Sequence, residues 1–249
     1  MLINSFWYGE NISCLEQLTV QSFIDHGHDF CIWTYNTNIK KQLPEKTIIK
    51  NANKILDFSN FFTYNGCGDC NKGSIGGFSD IFRYFLLKHG YEWYVDMDVT
   101  CLNSFLELTE DIVLRPHKNT SVVANIIKIK GFNNILDEIL EETKAKVTKN
   151  NDSWVLPLKI FKKHIFKNNL EKYIVPLNYF GNDDIKQIDI LLRSNIFLKP
   201  SSLPKFAIHW CNTAISSGNW YNGKFFYNKT NPVKFSMYEF LLKKHNIRF

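Results

Sequence analysis

The sequence lacks most of the features that would classify a chain at sight. It has only seven prolines in 249 residues and no internal repeat, so no low-complexity linker divides it. No run approaches the ~18 consecutive apolar residues of a membrane span. The first residues carry neither the basic segment nor the long apolar core of a secretory leader. Residues 1–30 contain no Lys or Arg, and nowhere do basic residues form the contiguous tracts of a dedicated nucleic-acid binder. Neither GxxxxGK[ST] nor GxGxxG occurs, which removes the two commonest phosphate-loop patterns. Cys67-Gly68-Asp69-Cys70 has metal-knuckle spacing, but no second Cys or His pair accompanies it, so a structural zinc is not expected. The other four cysteines, Cys14, Cys31, Cys101 and Cys211, read as small buried apolar residues. Six cysteines without a leader point to reduced thiols and a cytoplasmic location.

What is present is a core. The chain is 45% hydrophobic, 15% aromatic and only 22% charged, which argues against disorder and allows one large buried interior. Net charge is +6. The excess concentrates after Tyr221, where Lys224, Lys229, Lys234, Lys243, Lys244 and Arg248 face Glu239 alone. A solvated basic face is the plain reading of that tail, and contact with an anionic membrane surface at the inner face is the functional one.

The pattern of elements is α/β. Residues 2–8 (LINSFWY) read as a strand. Ser13 to Phe23 reads as a helix, with Ser13 and Glu16 spaced as a capping box. Asp29 to Tyr35 reads as a second strand, and the three together as a parallel βαβ unit. Lys46 to Lys50 is a further strand candidate, and Asn51 to Leu56 a short helix. Residues 64–77 (YNGCGDCNKGSIGG) form a glycine-rich loop that would let its backbone approach a ligand. Ser79 to His89 is the clearest helix, stopped by Gly90. Its wheel puts Phe78, Ile81, Phe82, Phe85, Leu86 and His89 on one face and Asp80 with Arg83 on the other. The spacing of that pair fits a surface ion pair, or a site in which Asp80 binds sugar hydroxyls and Arg83 an anionic oxygen. Downstream, Asp111–Leu114, Ser121–Lys128, Tyr173–Val175, Ile196–Leu198 and Lys205–Trp210 read as strands. Asn133–Val147, Pro157–Phe166 and Ser236–His245 read as helices.

Within this frame, Trp93 to Val99 (WYVDMDV) is a β-prone run carrying two acids. In a strand, Asp96 and Asp98 would point to the same side. Two such carboxylates are stable together if solvated, protonated or neutralised by a hard divalent cation, Mg²⁺ or Mn²⁺.

Ser79-Asp80-x-x-Arg83, a helix, Gly90 and then Tyr94-Val95-Asp96-x-Asp98-Val99 together resemble the signature of the DXD-type glycosyltransferases. That group includes capsular polysaccharide and lipopolysaccharide sugar transferases, the yeast initiating mannosyltransferase and the glucosylating clostridial toxins. Phe6-Trp7-Tyr8-Gly9, Ile32 to Asn36, Asn51 to Leu56, Val122 to Asn125 and Ala207 to Asn212 extend the likeness, while residues 131–200 match poorly. The resemblance implies a GT-A fold with a central mixed sheet flanked by helices. Residues 1–130 would be a nucleotide-sugar-binding half, and residues 131–249 an acceptor half with a closing element. It implies a retaining, metal-dependent transfer from a nucleotide sugar, UDP-linked in most members, to a saccharide or lipid-linked saccharide. In this assignment Asp98 holds Mn²⁺ or Mg²⁺, Asp96 binds the metal or the ribose, and His209 is a further metal ligand or a donor to the leaving phosphate. Asp80 and Arg83 belong to the catalytic group. Trp7, Tyr35, Ser79, Asp80, Arg83, Asp96, Asn125 and His209 line the donor. Trp7 stacks on the base or is simply a core aromatic. Asp183 and Asp184 are candidates for acceptor-side acid/base work or merely a turn. A catalytically silent binding module of the same fold, and a nucleotidyltransferase or phosphohydrolase using the same carboxylates, are the competing classes.

Overall fold

The computed structural model describes residues 1–181, 185–194, 202–212 and 228–249. A six-stranded mixed sheet forms its centre. The strands are β1 (Leu2–Phe6), β2 (Asp29–Thr34), β3 (Ile48–Asn51), β4 (Trp93–Val95), β6 (Ile112–His117) and β7 (Ser121–Ile129), in the order β3-β2-β1-β4-β7-β6. The first four run parallel to one another, and β7 is antiparallel to both β4 and β6. The chain thus builds outward from β1 to β3 and then returns to lay β4 on the other side of β1. A crevice opens at such a reversal, beyond the carboxyl ends of the strands. Phe6-Trp7 leaves β1 at that crevice, and Val95-Asp96 leaves β4 there.

The period-2 alternation of β1 and β2 sends Ile3, Phe30 and Ile32 to one core and Phe6, Cys31 and Trp33 to the other. Helix α1 (Cys14–Asp25) covers the first face. Its start follows the expected capping box, with Ser13 and Glu16 bonded reciprocally to each other's backbone. Helices α2 (Gly76–Lys88), α3 (Asn133–Lys146) and α4 (Leu156–Lys167) cover the other face through Phe78, Phe82, Leu136, Ile139, Phe161 and Ile165. A third cluster joins the outer side of α1 to α6 (Ile185–Leu192) and α7 (Met237–Lys244), with Trp210 at its centre. A helical turn, α5 (Leu177–Phe180), precedes α6.

Several expectations are corrected. WYVDMDV is not one strand. β4 ends at Val95, the chain turns through Asp96-Met97-Asp98, and Val99–Cys101 starts a new strand, β5. β5 pairs antiparallel with β8 (Ala207–His209) in a separate two-stranded sheet. Tyr173–Val175 is no ladder strand: Glu171–Tyr173 is a 3₁₀ turn, followed by a single bridge from Ile174 to Leu114. Asn51–Leu56 reduces to a 3₁₀ turn at Ala52–Lys54. His89 is exposed rather than on the buried face, because it caps α2 where the chain leaves the helix. α5 and α6 were not expected at all. Ile196–Leu198 and the Asp183-Asp184 pair lie outside the described residues.

The glycine-rich loop also has a different use from the one expected. It pairs with residues 148–154 through Asn65 N to the Lys149 carbonyl at 2.8 Å and Asp69 N to the Asp152 carbonyl at 2.9 Å. A Cβ on Gly68 would stand 1.9 Å from the Asp152 carbonyl oxygen, and one on Gly77 2.4 Å from the Tyr64 hydroxyl. These glycines let protein backbone approach protein.

Candidate active site

The turn between β4 and β5 is fixed from three directions. Asp96 N donates to the Asn125 carbonyl at 2.9 Å and Trp210 N to the Asp98 carbonyl at 2.9 Å. From α1, the Thr19 hydroxyl donates to the Met97 carbonyl at 2.9 Å. Met97 itself is buried in the core. Because β5 pairs with β8 with Val99 opposite His209, the turn brings His209 beside the two aspartates. One ligating atom from each of Asp96, Asp98 and His209 can be chosen so that all three lie within 4.8 Å of one another. Two carboxylate oxygens and an imidazole nitrogen at that separation suit a divalent cation. The donor set therefore fits the metal that the sequence leads one to expect. Among the described residues no other group of His, Cys, Asp or Glu converges in this way.

Arg83 stands behind this pair and is not a surface residue. It is buried, donates to Asp96 Oδ1 at 3.0 Å, and lies 3.3 Å from Asp80 Oδ1. Its guanidinium sits over the Tyr94 ring, 4.9 Å from the centroid. The Tyr94 hydroxyl is in turn 3.2 Å from the Ser79 Oγ. Ser79, Asp80, Arg83, Tyr94 and Asp96 thus form one connected polar group at the α2–β4 seam. Burial raises the Asp80 carboxyl to about 6, Arg83 opposing the shift and Asp96 adding to it. Burial likewise raises Asp96, with Arg83 opposing and the neighbouring Asp98 adding.

Asn125 reaches the site because β7 is irregular. Leu114 pairs with Ile127 but Arg115 with Val123, so Ala124-Asn125-Ile126 has no partner on β6. Bulges of this kind re-aim side chains beside functional sites. The Asn125 amide lies 3.0 Å from His209 Nδ1, and Arg115 Nη1 donates to its oxygen at 3.2 Å. His209 Nε2 lies 3.3 Å from Asp98 Oδ1, and Asn212 N donates to Asp98 Oδ2 at 2.7 Å.

Two sequence-predicted donor residues stand apart from this network. Trp7 is half-buried beyond the end of β1. Its Nε1 has no hydrogen-bond partner among the described residues, and Lys229 Nζ lies 6.0 Å from its ring. The Tyr35 hydroxyl is committed to the Leu56 carbonyl at 2.7 Å, inside an aromatic cluster with Phe6, Phe58 and Phe78. The residue that sequence reasoning missed is Arg115. An arginine inside the apolar run IVLRP was the available signal, and it is only 1% exposed. A cavity of about 370 Å³ adjoins the site, lined by Arg115, His209, Phe180, Asn178 and Gln187 among others.

No protein-family model and no curated protein sequence matches the chain. Among solved structures, the chain is similar to one titled PaToxG Glycosyltransferase. The identity is 17% over 67% of this chain and 68% of that chain, with a TM-score of 0.47.

Proposed function

We propose that the protein is a metal-dependent glycosyltransferase of GT-A type. It moves a sugar, with retention, from a nucleotide-sugar donor, UDP-linked, to a saccharide or lipid-linked saccharide of a capsule, lipopolysaccharide or other surface polysaccharide. The observation that carries this reading is the convergence of Asp96, Asp98 and His209 at the crevice where the strand order reverses. Asp96 and Asp98 would hold Mn²⁺ or Mg²⁺, with His209 the third group in reach. When bound, the ion supplies Lewis-acid stabilisation of the charge that develops on the departing diphosphate. The chain's own residues do the rest. Arg83 holds Asp96 in place and keeps Asp80 oriented toward the donor's hydroxyls. Trp7, at the end of β1, offers an aromatic face to the base. Asn125 braces His209, whose ring faces the sugar–diphosphate junction. The donor half is residues 1–130, and the cavity beside His209 lies on the acceptor side.

To test this, the protein is incubated with individual UDP-sugars and Mn²⁺ and release of UDP is followed. Metal-dependent release is expected, with Asp98→Asn lowering it on the order of 10²-fold or more. No turnover or binding of any nucleotide sugar, or full activity in Asp98→Asn, defeats the proposal. Binding without turnover would instead favour a silent module.

A peripheral contact with the inner face of a membrane belongs to the same reading. No helix among the described residues is long and apolar enough to cross a membrane. Around α7, Phe235 is 67% exposed, and Phe240, Phe249 and Val233 also face outward beside Lys234, Lys243, Lys244 and Arg248. Exposed aromatics among cations suit an anionic interface. Co-sedimentation with vesicles should rise with anionic lipid and fall with salt. Indifference to both would reject the contact.

A further inference from the structure

The sequence leaves His209 two roles, metal ligand or hydrogen-bond donor. Resting on the metal-site reading above, we infer that His209 is a donor through Nε2, and that Arg115, acting through Asn125, is the positioning residue that makes it one.

The inference follows from what each group is able to donate. A guanidinium has no acceptor. Arg115 Nη1 lies 3.2 Å from one end of the Asn125 amide, so that end is the oxygen. Arg115 is held in this pose by its own bond from Nη2 to the Phe180 carbonyl at 3.2 Å. The amide NH₂ then faces His209 Nδ1 at 3.0 Å, and Nδ1 must accept. The Cys211 sulfur, 3.5 Å from the same nitrogen, fits either tautomer, since a thiol can donate or accept. A neutral imidazole whose Nδ1 accepts carries its proton on Nε2. Nε2 lies 3.3 Å from Asp98 Oδ1, so the proton it carries is attracted to that carboxylate.

For Nε2 to bind a metal, the proton would have to sit on Nδ1, against the NH₂ of Asn125. Turning the amide over would relieve that contact but set the NH₂ against Arg115, donor to donor. Arg115 and Asn125 are 1% and 7% exposed, so water has little access to relieve either clash. Asp96 and Asp98 therefore carry the metal, while His209 braces Asp98 or, with donor bound, gives its N–H to a phosphate oxygen.

The tautomer is directly measurable. Long-range ¹H–¹⁵N spectra of the full-length, histidine-labelled protein, with His209 assigned by its loss in His209→Gln, should show Nδ1 unprotonated and Nε2 protonated. The reverse pattern overturns the inference without any variant having to be active. Mn²⁺ binding, read by electron paramagnetic resonance without nucleotide, gives a second answer. His209→Gln should change affinity less than ~3-fold, whereas Asp98→Asn should weaken it more than ~10-fold. A loss in His209→Gln as large as in Asp98→Asn also overturns the inference.

Asn125→Asp replaces the amide by a carboxylate that accepts from both Arg115 and Nδ1–H. It should switch the tautomer and tighten Mn²⁺ binding, and the gain should shrink in a His209→Gln background, which subtracts the added charge. For Arg115 itself, Arg115→Met should blur the tautomer and lower kcat more than it raises the donor KM, with Arg115→Lys restoring part of both. An unchanged tautomer and kcat in Arg115→Met removes Arg115 from the role. If the wild type binds no Mn²⁺ at all, the metal-site reading fails, and the spectra still report the tautomer.

Discussion

Arg83 illustrates how far burial changes the meaning of a residue. An Asp–Arg pair at i, i+3 on a helix is ordinarily worth a few tenths of a kcal/mol. Here the guanidinium is buried, bridges two carboxylates and lies on an aromatic ring. Arg83→Ala should cost roughly 3–5 kcal/mol in urea unfolding, because it strands two acids in a poorly solvated seam. Arg83→Lys should be milder in stability yet lower kcat/KM on the order of 10²-fold, since a shorter ammonium lacks the planar face that lies on Tyr94 and sets the reach of Nη2 to both acids. Equal effects of the two variants on both measurements would contradict this account. His28 gives a separate expectation for acid. Its Nε2 accepts from Phe105 N at 3.0 Å, and burial lowers its pKa from 6.5 to about 4. The unfolded chain therefore takes up this proton first as pH falls. The contribution of His28 is whole above about 6.5 and is lost on acidification toward 4, by roughly 3 kcal/mol. His28→Gln, whose amide oxygen can still accept from Phe105, should lose that slope in a pH series of denaturant midpoints. A wild-type slope retained in the variant would count against it.

Among the elements, those with strong local signals were legible. The capping box set the start of α1, the apolar stripe of α2 and its stop at Gly90 were plain, and the alternating residues of β1 and β2 predicted their two faces. WYVDMDV was misread as one strand because β-propensity does not mark where a chain leaves one sheet for another. The acids nevertheless converge, since the turn is held by Thr19, Asn125 and Trp210 rather than by strand periodicity. Asn125 was named from resemblance, but its partner Arg115 was not. That pairing depends on a bulge, which shifts register without a mark in the sequence. The glycine-rich loop shows the same limit, because Gly68 answers to Asp152, some 80 positions away. Gly68 has φ +55° and no room for a Cβ. Gly68→Ala should therefore destabilise by ~2 kcal/mol or more in thermal or urea unfolding, with little change in donor KM. A neutral result would mean that the loops separate readily.

For the molecule as a whole, the site is a junction between two sheets. Asp96 directly follows β4 of the large sheet, and His209 belongs to the small one. An ion held at the junction binds only the folded arrangement. Mn²⁺ at about 100 times its Kd should add about 2.7 kcal/mol, seen as a raised melting temperature that Asp98→Asn abolishes. Slowed amide exchange in Val99–Cys101 and Ala207–His209 would accompany it, and an unchanged melting temperature would argue against a metal at this place. The small sheet also sets an order of assembly. All six strands of the large sheet have been synthesised by Ile129, and the helices that roof one of its faces by Lys167. β8 comes some forty residues later and pairs with a strand more than a hundred positions back. Contacts of such separation close late. A nascent chain can thus possess most of its architecture while His209 is still absent from the β4–β5 turn. The group of Asp96, Asp98 and His209 is complete only once β8 has been made and has found β5.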